Sequence, residues 1–570
     1  MENFVRSSVL VLSAWFSLTV SASAPEIAKH LHVRVPMRDG VQLAANIFLP
    51  SEAGRFPILL VRTPYSKGDD LNPTFRLFVD NGYGMVVEDV RGRYESDGTF
   101  DPFTQEPKDG DDTLNWIARQ SWSDGKIGML GGSYLGIVQW KAAILHNPHL
   151  KAIAPVVSGY DDYLDRFYST GGAFQVGHRL LWMEENLRAL DFPAPSFDRY
   201  VRTLPLRQAD LAATGQRCEI FQKALNHPAD DAFWQNTSTR AQIDQVSVPV
   251  FSVGGWYDNY VESDLAAFSA LRRNSGVHRI LIGPWGHNMS IKFSGADFGK
   301  ESSAPVRRMQ LQWFDQWLKS KDTPIVSQPP VRIFVMGANR WRDEHEWPLA
   351  RTRLTPMYLA GKGRANTLNG DGALVAGPPR KASPDRFAFD PRNPVPTAGG
   401  AVCCDPKIFP WGPMDQRAVE RRPDVLVFTS PPLKEDLEVT GPVRVVLYAA
   451  TSAPDTDFTA KLVDVFPNGE ARNLTDGILR MRYRRSLAKA ELAKPGEVYK
   501  LTIDAGVTSN VFLPGHRLRI EISSSNFPRF DRNPNTGRPI ADETTQRTAF
   551  QTLYHDQAHP SRVLLPVIPN

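Results

Sequence analysis

In WSDGKIGMLGGSYLG (122–136) a short apolar run, 127–130, stops abruptly in glycines and a serine. Such a run predicts a buried strand feeding a tight turn. Ser133 stands at the corner, with Gly131 and Gly132 before it and Tyr134, Leu135 and Gly136 after it. A serine hydroxyl attacks poorly unless the backbone holds it out beside a base, and glycines permit the strained strand-to-helix corner that does so. The common nucleophile pattern is G-x-S-x-G, and here the second glycine comes one place late. A Gly-Gly-Ser-Tyr segment on its own also reads as a surface turn.

The flanking chain argues against that bland reading. Upstream, 109–120 carries Leu114, Ile117 and Ala118 at helical spacing, so helix, strand, corner and helix follow in the order an α/β-hydrolase requires. Earlier still, 30–36 and 41–48 alternate about Arg38-Asp39-Gly40, which predicts a β-hairpin. FPILLVR (56–62) predicts a buried strand, and Tyr65 follows its carboxyl end, where ligands of open α/β sheets gather. Tyr65 either faces a site or only packs. A further strand is expected at 83–90. In the charged loop after it, Arg91 and Asp97 are expected to support the corner rather than to line a site.

Downstream, 152–157 predicts another strand. From 159 to 244 the texture turns aromatic and helical, which predicts a cap inserted over the site. The α/β pattern resumes with a strand at 248–255 that leads into Asp258, a helix at 261–271, and a strand at 278–282 followed by GPWGH and so His287. Asp258 and His287 are 29 positions apart, about one strand-helix-strand unit. The chain order Ser, Asp, His is that of the hydrolase triad. From 352 onward, strands at 443–448, 459–465, 499–504 and 517–523 alternate with Pro/Gly/Asp turns, predicting an all-β jelly-roll sandwich. Asp455 and Asp457 could hold calcium, but a turn or surface pairing is the preferred reading.

The 570 residues exceed one compact core. The expected division is a signal peptide at 1–24, a hydrolase domain at 25–158 and 245–351, a helical cap at 159–244, and a jelly roll at 352–570. Arg6, an apolar stretch at 9–20 and small residues at 21–24 predict export to the periplasm or medium, with no stable membrane insertion afterwards. A net charge of +4 without a basic, aromatic-interleaved stripe gives no expectation of a nucleic-acid partner. Three cysteines cannot build a disulfide scaffold, and adjacent Cys403 and Cys404 are expected as packed thiols rather than a vicinal bridge. No metal and no cofactor are expected. A homo-oligomer stays open.

With these contexts in hand, RTPY (62–65), RGRYESDG (91–98), DGKIGMLGGSYLG (124–136), GGWYD (254–258) and GPWGH (283–287) resemble the family of cocaine esterase, α-amino-acid ester hydrolase, glutaryl acylase and X-prolyl dipeptidyl peptidase. The resemblance extends over essentially all residues after the signal, and G-x-S-Y-x-G is that family's own corner. It implies an oxyanion hole made by the Tyr65 hydroxyl and the Tyr134 backbone N–H. The expected chemistry is hydrolysis of small-molecule ester or amide bonds through Ser133, His287 and Asp258 by way of an acyl-enzyme. Members that require an α-amino group need carboxylates to receive it, and after Asp258 this chain reads Asn259-Tyr260-Val261. Asp161, Asp162 and Asp165 could serve instead, but a solvated acidic turn is preferred, so a strict amino requirement is not expected. The runner-up is an aminoacyl-ester hydrolase, β-lactam acylase or X-Pro dipeptidyl peptidase. A carbohydrate-binding jelly roll carrying a degenerate hydrolase domain is the non-enzymatic alternative.

Overall fold

The computed structural model describes residues 26–273, 276–293 and 295–569, so the expected signal peptide lies outside the described residues. Ten strands form the first sheet: β1 (Ala28–Pro36), β2 (Gln42–Leu49), β3 (Phe56–Thr63), β4 (Gly84–Asp89), β5 (Ser123–Gly132), β6 (Leu150–Val156), β7 (Val250–Tyr257), β8 (His278–Gly286), β9 (Val331–Val335) and β10 (Arg340–Glu344). Their spatial order is β1-β2-β4-β3-β5-β6-β7-β8-β9-β10. The strands from β4 through β9 in that order run parallel, while β1, β2 and β10 join antiparallel at the edges.

A parallel sheet is covered on both faces, so its strands are apolar on both sides. In β3, Ile58 and Leu60 belong to one core with Leu114 and Ile137, while Leu59 and Val61 belong to a second core with Phe78 and Phe314. Helices Glu106–Ala118 and Tyr134–Ala143 cover the first face, and Arg76–Asp80 and Val306–Lys319 cover the second. The strand β8 runs four residues past the expected end at Ile282, through the Gly-Pro pair, because a strand residue needs its N–H only where a neighbour asks for it.

Between β6 and β7 lie short helical segments, among them Val176–Leu187, Ala209–Thr214, Glu219–Asn226 and Ala232–Thr237. Their interior is aromatic: Tyr163, Phe167, Tyr168, Phe174, Phe221 and Trp234 pack ring on ring. The expected solvated acidic turn here is a correction, since Asp161, Asp162 and Asp165 are all buried. Asp161 pairs with Arg240, and Asp162 with Lys141 and Arg166. Asp165 accepts from the Ser263 hydroxyl at 2.6 Å and from the N–H groups of Tyr160 and Asp161.

The remaining strands are β11 (Arg353–Ala360), β12 (Ala373–Val375), β13 (Asp385–Phe389), β14 (Leu426–Thr429), β15 (Leu437–Thr451), β16 (Asp457–Val465), β17 (Ala471–Arg480), β18 (Tyr499–Phe512), β19 (Arg517–Ser523), β20 (Ala549–Tyr554) and β21 (Arg562–Val567). They hydrogen-bond in the order β13-β20-β15-β21-β11-β12-β14-β19-β16-β17, with β18 on β15. β17 also packs against β18, and Leu462, Ile503, Ile520 and Leu565 share the core between them. Asp455 and Asp457 are corrected from surface pairing to buried ion pairs with Arg482 and Arg480.

This β domain is fastened to the cap. Phe174 N–H donates to the Asp531 carboxylate and accepts Asp531 N–H on its carbonyl, Gly177 N–H donates to Pro528, and Arg480 N–H donates to Gly171. The Arg480 guanidinium pairs with Asp531 on the same seam.

Candidate active site

Ser133 sits between β5 and helix Tyr134–Ala143 with φ 56° and ψ −125°. A non-glycine residue rarely adopts that backbone, and such strain concentrates where a side chain must be presented. Its neighbours make the corner possible. At Gly131, φ is +142° and a Cβ would meet Leu135 Cβ at 2.4 Å; at Gly136 a Cβ would meet Ser158 Cβ at 2.5 Å. The late glycine is thus where the helix crosses the loop after β6.

Asp258 and His287 follow directly on the ends of β7 and β8, which are adjacent and parallel. Their side chains converge on the corner: His287 Nε2 lies 3.0 Å from Ser133 Oγ, and His287 Nδ1 lies 2.6 Å from Asp258 Oδ2. Asp258 is fully buried, and its other oxygen accepts Tyr260 N–H at 3.0 Å. An ionised carboxylate only accepts, so Nδ1 carries the proton and Nε2 is left free to take one from the serine. The Tyr260 ring lies 5.7 Å from the imidazole and walls it in.

Tyr65 turns back from the end of β3, and its phenol lies beside Ser133. The Tyr65 oxygen also accepts the indole N–H of Trp182, on the cap helix Val176–Leu187, at 3.0 Å. Burial pushes the phenol up to about 12, so the hydroxyl keeps its proton at neutral pH. Arg179, one turn before Trp182 on the same helix, stacks over Phe167 and Trp182, and burial pulls its guanidinium down to about 10. Tyr134 opens the helix after Ser133, where a backbone N–H has no carbonyl one turn earlier to serve. Its side chain is tied away from the corner, because the phenol donates to Glu106 Oε1 at 2.7 Å.

Residues 39–289 match the model of the X-Pro dipeptidyl-peptidase (S15 family), and residues 325–564 match that of the X-Pro dipeptidyl-peptidase C-terminal non-catalytic domain. The chain is 40% identical to cocaine esterase of Rhodococcus sp. (strain MB1 Bresler), covering 94% of this chain and 98% of that one. This chain belongs to the S15 family. Among solved structures, an aminopeptidase from the marine sediment archaeon Thaumarchaeota archaeon is similar at a TM-score of 0.84 and 26% identity, covering 99% of this chain and all of that one. An α-amino acid ester hydrolase is similar at 0.81 and 26%, covering 97% of this chain and all of the other. Family and fold make the protein a serine hydrolase.

In this S15 chain the corner rests on a buried charge network with no sequence signal. Arg62, one of the RTPY residues, pairs with Glu88 at 2.6 Å and with Glu106 at 2.7 Å, all three buried. Glu106 in turn holds the Tyr134 phenol, so the segment bearing Tyr65 and the helix after Ser133 share one support. Burial pushes Glu88 up to about 7 against the pull of Arg62. Arg91 pairs with Asp39 and Asp109, and Asp97 with Arg34; both support the scaffold.

Trp182 and Tyr260 are contacts that sequence reasoning missed, since an aromatic on a helix or after a strand reads as core. The cysteine expectation is corrected: Cys403 and Cys404 are joined in a vicinal disulfide, and Cys218 is buried and free. Their ligand atoms and those of His178 lie within 4.8 Å of one another, the one such group among the described residues. With the two sulfurs bonded to each other, neither is a thiolate ligand.

Proposed function

We propose that this protein hydrolyses ester or amide bonds of small molecules by acyl transfer through Ser133. The observation that carries the reading is the unbroken relay from Asp258 through His287 to Ser133, set beside the Tyr65 hydroxyl. His287 Nε2 takes the hydroxyl proton as Oγ attacks the carbonyl, and Asp258 holds the imidazole and balances its cation. The developing oxyanion meets the Tyr65 O–H and the Tyr134 N–H. The proton then passes to the leaving alcohol or amine, and water repeats the cycle on the acyl-enzyme.

A cavity of about 780 Å³ opens on Ser133 and His287. Its walls are largely apolar, including Leu77, Val156, Val157, Trp285, Ile291 and Val306, and no Asp or Glu lines it among the described residues. That supports hydrolysis without a strict α-amino requirement. The aminoacyl reading keeps one observation in its favour: Glu262, Asp165, Asp476 and Asp504 line a separate cavity of about 240 Å³ between cap and β domain. Comparing a phenylglycine ester with its des-amino analogue separates the two, since a large preference for the amine would favour the second. Ser133→Ala should lower turnover by a factor on the order of 10⁶ and abolish labelling by a fluorophosphonate. Near-wild-type turnover in that variant would end the proposal. We also propose export, on the apolar and small residues at 9–24; N-terminal sequencing of the mature protein tests it.

A further inference from the structure

The cavity that holds Ser133 and His287 is largely apolar, with Asn288 and Ser303 as neutral polar residues in its wall, and the first turn of helix Val306–Lys319 adds Arg307 and Arg308 to its lining. Basic side chains are disfavoured there, because the helix N-terminus is already positive. Neither guanidinium has a carboxylate partner among the described residues. Arg307 is partly buried and lies over the Phe75 ring, with Nη1 donating to Gln310 Oε1 at 3.0 Å. Those two contacts fix the plane of the guanidinium and leave its Nε and Nη2 edge without a bond among the described residues. Burial alone lowers its pKa, with no acid to offset it. A partly buried cation without a carboxylate partner gains when an anion joins it. The paired donors on a guanidinium edge match the two oxygens of a carboxylate.

We propose that Arg307, with Arg308 beside it, is a carboxylate-recognition end of the active-site cavity. The preferred substrates then carry a carboxylate on one of the two groups flanking the scissile carbonyl. This rests on the serine-hydrolase reading and adds a substrate class to it. An anionic group fits the unbalanced positive charge, whereas an ammonium would be repelled.

Two matched pairs of esters test the proposal and tell the two sides of the carbonyl apart. For the acyl side the pair is mono-4-nitrophenyl adipate and 4-nitrophenyl hexanoate. For the alcohol side it is the acetate esters of 4-(hydroxymethyl)benzoate and 4-(hydroxymethyl)benzamide. The charged member should be preferred by about tenfold or more in kcat/KM in one pair, the scale of a single charge-assisted contact. Arg307→Gln combined with Arg308→Gln should bring that ratio to about one, and Arg307→Lys should keep part of it. No preference in either pair, or a preference that survives the double substitution, overturns the proposal. Turnover of the uncharged members tests the hydrolase reading separately. Calorimetric binding of the adipate half-ester to Ser133→Ala protein, with and without Arg307→Gln, decides the site even if that reading falls.

Discussion

The Tyr65 oxygen accepts the indole proton of Trp182 at 3.0 Å, which occupies one side of the phenol and leaves its own proton free to be donated. Trp182 is therefore a positioning residue, acting through Tyr65. Tyr65→Phe removes the proposed oxyanion donor and should lower kcat by roughly 10² to 10³. Trp182→Phe should cost about tenfold in kcat, and much less once Tyr65 is already Phe, because contacting residues that act as a unit are not additive. Steady-state kinetics on the four proteins of that cycle measure the coupling; full additivity would show that Trp182 merely packs. Single residues also mark where sequence reasoning ended. Ser133, Asp258 and His287 were legible because each follows a strand, in a recognisable chain order. The partners of Asp161 and Asp162 were not, since Arg240 and Lys141 are distant in sequence and only the folded chain reveals that those acids are neutralised inside.

At the scale of elements, the corner between β5 and the helix after it depends on Gly131 and Gly136 far more than on Gly132. A Cβ at Gly136 would lie 2.5 Å from Ser158 Cβ and 3.3 Å from the Val156 carbonyl, whereas one at Gly132 finds nothing nearer than 3.5 Å. Ser158 cannot withdraw freely, because it is buried and accepts the Trp140 indole N–H. Gly136→Ala should destabilise by about 1–3 kcal/mol, while Gly132→Ala should hold the denaturant midpoint. Equal midpoints for the two would remove the steric account of the late glycine. Periodicity located most elements well: the helix Val261–Leu271 and the strand Arg517–Ser523 have the bounds expected from sequence. It misplaced the end of β8, since Gly-Pro signals a turn that the neighbouring strands override. The Cys403–Cys404 bond was illegible for a different reason, being a matter of local geometry that composition does not constrain.

Across the whole molecule, the seam between cap and β domain encloses acids. Glu262 faces Asp504, Asp476 and Asp165, with Arg529 as the opposing cation, and burial followed by Asp504 raises it from 4.5 to about 8. Burial, with Asp161 next, raises Asp165 to about 7. A carboxyl whose folded-state pKa exceeds its unfolded value holds its proton more tightly when folded. Its contribution is complete below the unfolded value and is lost as pH rises toward the folded one. Melting temperature should therefore fall between about pH 5 and pH 8, and Glu262→Gln should raise it at pH 9 while changing little at pH 5. Parallel pH profiles for variant and parent would contradict this. The same seam, tied by main-chain bonds from Phe174, Gly177 and Arg480, bears on how the enzyme meets insoluble esters. A roof anchored along its edge does not swing back at an oil-water boundary, so emulsified ester should bring neither a lag nor a burst of activation, and rate should track only the dissolved monomer.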